Sequence, residues 1–565
     1  MRRSRVLVCV AIAALSSASS VGAQAPIPQL PTGTPMPGVQ PPAQSVPADA
    51  VATIEGRVTA SDTGSPLRGA HIQLYGSGPN ARVNRSARAD RDGRYRFDRM
   101  TPGPYTILAS RPGFVTMRAG QKSPRERAIL WLLSPAETER VDFALPRGGV
   151  IFGRLTDDTG EPLAGIQLIP LRVLHSPNGE RLQPDNSLPF SNHSDDRGDF
   201  RVAGLAPGTY VLAAQHQSDE DGENLVTTFY PGTTNAKQAR RIRVGMSEQV
   251  GASFAMQSGR LVRVSGYVQS SNGHPLPNAR IMLRTETTVG IRVLRVEDAS
   301  GQFEISGVAP GEYTLDVSSA STGGMPDFFK QTEFTSVKLS VGTEDLTGLV
   351  ITTGAGTTVT GRVTYESSTG RSPDAAKVQV YAAIQDGPFG MRPPSADRNN
   401  GLLAEDGSFT ITGGYGKMLF RVGRPGWQLK SVILDGGDIT DVPYDASRGN
   451  ISGLEVVLTD ERQEVIGKVA DAFGKPATRY VVIVFPGELG EGAVPGRFIR
   501  VATPQQDGIF RLTNLPPASY LAAAFEAIDQ DAEFDPAFRE RARSRATSFH
   551  LSPGQTRELE LALIE

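Results

Sequence analysis

A glycine set inside a short apolar strand returns five times along the chain: Gly56 in IEGRVTA, Gly153 in IFGRLTD, Gly266 in VSGYVQS, Gly361 in VTGRVTY and Gly467 in VIGKVAD. The spacing is roughly 100 residues, the common size of one small domain. A chain of 565 residues is too long for one apolar core, so the repeat predicts five successive units, each with its own. After each glycine come a turn and a second strand: SPLRGAHIQLY, EPLAGIQLIPL, HPLPNARIMLR, SPDAAKVQVYA and KPATRYVVIVF. Apolar and polar residues alternate there with period two, the pattern of a strand facing a core on one side. The 61 glycines and 41 prolines would interrupt helices but suit short strands joined by tight turns. The expected class is all-β.

A second signature stands midway through each unit: DRDGRYRF from Asp90, DRGDFRV from Asp196, DASGQFEI from Asp298, EDGSFTI from Glu405 and QDGIFRL from Gln506. Its glycines are Gly93, Gly198, Gly301, Gly407 and Gly508. Two residues on stands an aromatic ring, and two further on another apolar residue: Tyr95 and Phe97, Phe200 and Val202, Phe303 and Ile305, Phe409 and Ile411, Phe510 and Leu512. Alternate residues of a strand share a face, so these are expected core anchors, with Asp92-Gly93 turning the hairpin. Twelve residues past the glycine, after MTPGPY, LAPGTY, VAPGEY and LPPASY, four units place Tyr105, Tyr210, Tyr313 and Tyr520. A half-buried tyrosine whose hydroxyl ties back to the backbone is a corner device of sandwiches. The fourth unit has diverged, with GGYGKM for the Pro-Gly turn and Leu419 for the tyrosine.

Each unit closes on an apolar strand, near Val141, Ala252, Gly348, Leu454 and Leu559. The expected units are 53–147, 148–259, 260–354, 355–460 and 461–565. Only a few residues, such as RGG or DERQE, separate a closing strand from the next opening one, which predicts an elongated, stiff string. Ahead of the first unit, residues 1–23 read as a secretory signal peptide, with three arginines, an apolar run from Val6 to Leu15 and cleavage after Ala23. Residues 24–52 are Pro-rich, without apolar periodicity, and read as a disordered linker. Cys9 is the one cysteine and belongs to the leader, so the mature chain holds its domains by core burial alone. A secreted chain of this size without disulfides points to a bacterial periplasm or envelope.

The order G-[RK]-V, P-L-x-G-A-x-[IV]-x-L, D-x-x-G-x-[FY]-x-[FI] and L-x-P-G-x-Y, closed by an apolar strand, resembles the carboxypeptidase regulatory-like domain. Collagen-adhesin B-type domains and starch-binding-like folds are similar. The resemblance covers nearly all of residues 52–565 and implies a tandem array of transthyretin-like (prealbumin or Ig-like) β-sandwiches. It implies little about function, because one fold hosts many activities.

A zinc carboxypeptidase would need paired histidines and glutamates at fixed spacing. His71, His175, His193, His216, His274 and His550 are scattered, and none opens an H-x-x-E or H-E-x-x-H pattern, so no catalytic or metal residue is expected and no cofactor. Lys468 holds the opening-strand position of an isopeptide bond, but the fifth closing strand has no asparagine. The acids of the turn motif vary between copies while the glycine and ring stay, which reads as hairpin geometry and not as a calcium loop. Arg197-Gly198-Asp199 fills that same turn.

Aromatic platforms for sugar rings could come from Phe229, Tyr230, Phe328, Phe329, Trp427 and Tyr444, which lie outside the repeated core positions. Losing Arg2, Arg3 and Arg5 with the leader takes the formal charge from -2 to -5, an overall balance that argues against nucleic acid. No stretch after the leader is long and apolar enough to span a membrane as a helix. The expected function is a non-enzymatic interaction or scaffold protein of the cell envelope, secreted or periplasmic, with an envelope protein or polysaccharide as partner. The alternatives are a carbohydrate-binding protein and an accessory partner of a separately encoded peptidase or outer-membrane transporter.

Overall fold

In the computed structural model the residues described are 52–564, except 78–82, 122–123, 125–130, 135–137, 186–191, 217–224, 286, 288, 320–332, 371–377, 386–400, 424–426, 506 and 530. They form short strands gathered into sheets, and the five opening strands lie in five separate apolar cores. These strands are Ala52–Ala60, Gly149–Thr156, Val262–Gln269, Thr357–Glu366 and Glu464–Ala470. Each occupies an inner position in its sheet. On one side it pairs antiparallel with the strand of the turn motif, and on the other parallel with the strand that closes the unit. The second sheet is built on the second strand paired antiparallel with the strand that follows the Pro-Gly turn, as His71–Gly76 pairs with Gly103–Ser110. The inward residues of both sheets meet in the core: Ile54, Val58, Ile72, Leu74, Phe97 and Ile107 of the first unit are all buried.

The opening glycine and the motif aromatic are direct cross-strand partners in every unit: Gly56 with Tyr95, Gly153 with Phe200, Gly266 with Phe303, Gly361 with Phe409 and Gly467 with Phe510. At Gly361 the register with the closing strand shifts, and this bulge brings the Leu454 carbonyl inward. A Cβ on Gly361 would lie 2.1 Å from that oxygen and 2.7 Å from the Phe409 ring. The ring therefore covers the strand where the glycine has no side chain, an aromatic rescue of a strand glycine.

The turn before each aromatic is closed by its acid. In the first unit Asp90 Oδ1 accepts from the backbone N–H groups of Asp92 and Arg94, and Gly93 takes φ +76°. A side chain there would meet the Val58 carbonyl at 2.4 Å, so glycine is required twice over. Asp195, Asp298, Asp406 and Asp507 accept backbone N–H groups of their own turns.

Each of the four tyrosine hydroxyls donates to the carbonyl four residues earlier. The pairs are Tyr105 to Thr101 (2.6 Å), Tyr210 to Ala206 (2.8 Å), Tyr313 to Ala309 (2.8 Å) and Tyr520 to Pro516 (2.6 Å). The bond pins the corner that leads into the strand while the ring fills the core.

The fourth and fifth units depart from this plan. In the fourth, Gln428–Leu434 adds to the first sheet beside the closing strand Ile451–Thr459, and Leu419 is buried where the other units carry tyrosine. In the fifth, the two sheets join through parallel pairing of Ala524 with Leu563 and Phe525 with Ile564. An α-helix, Pro536–Arg543, interrupts the expected all-β run. Asp535 caps it by accepting from the Ala537 N–H, and Pro536 stands in its first turn. The helix packs Phe538 on Phe525 and buries Ala542 against Ile483, Phe485 and Ala523, on the face of the second sheet turned away from the core.

Two substitutions test the repeated devices. Tyr520→Phe keeps the ring but strips a buried carbonyl of its donor, at a cost of about 1–2 kcal/mol. Calorimetry is expected to show the fifth unit's transition lowered by the corresponding amount, and an unchanged transition would remove the corner bond from the list of stabilising contacts. Gly361→Ala forces backbone apart and is expected to cost about 3 kcal/mol. Hydrogen exchange of Thr357–Glu366 should accelerate, while exchange in the first unit stays as it was.

Candidate interaction sites

The four described ring positions proposed for ligand contact pack into three apolar clusters. Phe229 is 5% exposed and packs with Leu171, Val211 and Ala213 on the outer face of the second unit's second sheet, where Val289 from the third unit joins it. Tyr230 is half-buried, edge-on to Phe254 at 5.8 Å, with the Arg240 guanidinium 5.9 Å from its ring centre. Trp427 lies edge-to-face with Tyr365 at 5.4 Å, and both it and Tyr444 pack against the fourth core. Phe229 and Tyr230 thus belong to different clusters of the second unit, and Trp427 and Tyr444 to the fourth core. Phe328 and Phe329 lie outside the described residues.

The acidic positions are engaged locally. Asp199 of the Arg-Gly-Asp tripeptide pairs with Arg154 at 2.7 Å, and that bond holds its carboxyl below the usual carboxylate range. Hydrogen bonds from the Ser408 hydroxyl and backbone do the same for Asp406. Lys468 is exposed, and the residue in register with it on the closing strand is Glu560. Among the described residues, no three His, Cys, Asp or Glu side chains gather as a metal site would require. Ser519 and His550 face each other across two strands, Oγ to Nδ1 3.3 Å, in a shallow depression shared with Glu488 and Arg543. Arg543 is turned to the Gly487 carbonyl, and among the described residues no carboxylate bonds the imidazole, so a nucleophile–base–acid relay is not assembled there.

Polar groups converge within units, as Arg284 and Asp316 do at 2.5 Å in the third, and also where units meet. Between the first and second, Arg147 pairs with Asp62 at 2.7 Å and stacks over Phe114, while the Gly148 N–H donates to the Gly113 carbonyl. A Cβ on Gly148 would lie 2.4 Å from the Gly204 backbone, which explains the glycines of the RGG joint. Between the third and fourth, Phe334 stacks on Tyr415 with ring centres 3.9 Å apart. Tyr415 is the tyrosine of GGYGKM, so the divergence of that motif makes a contact between units. Burial pushes its hydroxyl up to about 12.

Between the fourth and fifth, Asp441 is 9% exposed and sits between two arginines, Arg421 at 3.0 Å and Arg497 at 3.1 Å. Arg421 also donates to the Thr440 carbonyl and Arg497 to the Leu429 carbonyl, so both guanidiniums have several acceptors. Burial lowers the pKa of Arg421, and the Asp441 charge opposes that shift. Asp441 and the two arginines carried no sequence signal, because 20 and 56 residues separate Asp441 from its partners.

A further set of contacts corrects the string expected from the short joints. The second unit's long hairpin, Gln167–Ser176 with Gly179–Pro184, reaches units that are not its sequence neighbours. Asn178 at its tip donates to the Gln385 carbonyl of the fourth unit at 3.2 Å. His175 Nε2 lies 3.8 Å from Asp535 of the fifth, beside the helix cap, and Pro177 lies against Gly496. The units are therefore not held by contacts between sequence neighbours alone.

No curated protein matches the chain. Among solved structures it is similar to a minor pilin of Streptococcus agalactiae at 18% identity, covering 37% of this chain and 96% of that one, with a TM-score of 0.21. It is also similar to a streptococcal ancillary pilin (12% identity, 54% and 98% covered, TM-score 0.20) and to the shaft pilin of Lactobacillus rhamnosus GG (13%, 37% and 97%, 0.17). The carboxypeptidase regulatory-like domain model matches residues 53–146 and 263–347. The chain is a multi-unit β-sandwich protein whose first and third units match the carboxypeptidase regulatory-like domain.

Proposed function

We propose that the chain is a non-enzymatic interaction or scaffold protein of a bacterial cell envelope, delivered there by a cleaved leader. The observation that carries this reading is the locking of the units to one another, above all by the Arg421–Asp441–Arg497 triad. A catalytic domain gathers polar groups into a cleft; here a buried charge triad lies at a joint and the repeated polar groups close turns. The loops and strand edges are then left to meet partners, held at fixed separations by the joints. Sugar binding through exposed rings is not favoured, because Phe229 is in a core and Tyr230, Trp427 and Tyr444 are packed against one.

Asp441→Ala leaves two buried guanidiniums without their carboxylate and is expected to destabilise the fourth–fifth joint by about 3–5 kcal/mol. The test is protease susceptibility at residues 459–464 together with proximity capture of envelope components by the full chain. A scaffold should be cut faster in the variant and should lose the partners that need both units at once. Metal-dependent release of C-terminal residues from peptides by the purified chain would overturn the non-enzymatic reading.

A further inference from the structure

The overall balance of charge conceals an uneven distribution. Residues 53–147 carry 15 arginines and one lysine against nine aspartates and glutamates, a net of +7. The remaining units, 148–565, carry 39 basic against 50 acidic residues, a net of -11. The first unit is therefore cationic within an otherwise anionic chain, and its cations are almost all guanidiniums.

The fold brings these arginines to one end of the sandwich. Arg68 precedes the strand His71–Gly76, Arg88 ends Asn84–Arg88, Arg111 follows Gly103–Ser110, and Arg91 and Arg94 flank the turn glycine. His71 is in register with Arg88 on one side and with Ser110 on the other, which sets Arg68, Arg88 and Arg111 side by side. The Arg111 guanidinium reaches over Gly69, and Arg57 and Arg94 are direct cross-strand partners. Like charges placed opposite each other on a sheet destabilise it, so folding does not account for that pair.

All six arginines are exposed, and among the described residues none forms an ion pair; the Arg57 guanidinium donates to the Asp92 carbonyl, and its backbone N–H to Asp142. Of the acids at this end, Asp90 is occupied by the backbone of its turn.

We propose that this end of the first unit binds an acidic polysaccharide, a polymer presenting carboxylate, sulfate or phosphate groups in close succession. A guanidinium fork takes such oxyanions in bidentate geometry, and a row of them on strand ends matches a repeating chain better than a single ion. Nucleic acid fits less well, because the rings Tyr95, Phe97 and Tyr105 of this unit are buried and offer no stacking face. A second copy of the chain also fits less well, because acids of the other units are held by hydrogen bonds or ion pairs, as Asp157, Asp199, Asp406 and Asp460 are. The inference rests on the reading of the chain as an interaction protein and names the class of one partner.

The test is binding of the full chain to polygalacturonate and to dextran sulfate, with neutral dextran and a single-stranded DNA oligonucleotide alongside, at low and physiological salt. Binding to both acidic polymers and not to neutral dextran is expected, weakening as salt rises. R68E/R88E/R111E should bind about tenfold more weakly or worse, with its melting temperature unchanged. R68Q/R88Q/R111Q gives the same readout with the side-chain bulk kept, and R181E/R201E/R243E in the second unit should bind as the unaltered chain does. Absence of binding at low salt, equal binding of neutral dextran, tighter binding of DNA, or a salt-sensitive self-association abolished by R68E/R88E/R111E would each overturn the proposal. A chain that ignores both acidic polymers yet still captures envelope proteins overturns this inference alone and leaves the scaffold reading standing.

Discussion

The contact on which each unit depends is the approach of a closing-strand carbonyl to the glycine of the opening strand, with an aromatic ring laid across the same spot. At Gly361 the Leu454 oxygen and the Phe409 ring both stand where a side chain would begin. Two strands far apart in sequence are thereby brought into parallel register, and the ring that seals them is also a core residue. A single glycine thus couples the sheet ladder to the packing beneath it, which is why it recurs while the residues around it change.

The plan of the units was legible because its devices are local or periodic. The opening glycine, the turn with its acid, the two same-face residues and the corner tyrosine all lie at fixed spacings, and each spacing has a steric or hydrogen-bonding cause. The joints were not legible, because their partners come from different units: Asp441 finds Arg497 across 56 residues, and Asn178 finds Gln385 across 207. The fifth unit's helix left a readable trace in Asp535-Pro536, a cap followed by a first-turn proline, but eight residues with apolar side chains only at Ala537, Phe538 and Ala542 give little periodicity. Phe229 and Trp427 pack against neighbours for a simple reason: a ring outside the repeated positions is still apolar, and the outer sheet faces and joints need covering too.

Divergence in the fourth unit shows how a repeat array acquires contacts between its members. Losing the corner tyrosine at Leu419 removed one tie to the backbone, and the altered turn supplied Tyr415, which lies on Phe334 of the preceding unit. The second unit's elongated hairpin is a similar change, since residues beyond the span of its own sheet end at the fourth and fifth units. Variation thus accumulates where the core permits it and is put to use in holding neighbours.

The parallel pairing of opening and closing strands has a mechanical consequence. Because the chain enters a unit along one of these strands and leaves along its parallel neighbour, a pull on the two ends slides the strands past each other lengthwise. The ladder bonds run across that direction and are strained together, so they must fail in concert and cannot open one at a time like a zip. Resistance to stretching in such a unit is set by the length of this parallel ladder as well as by the size of its core.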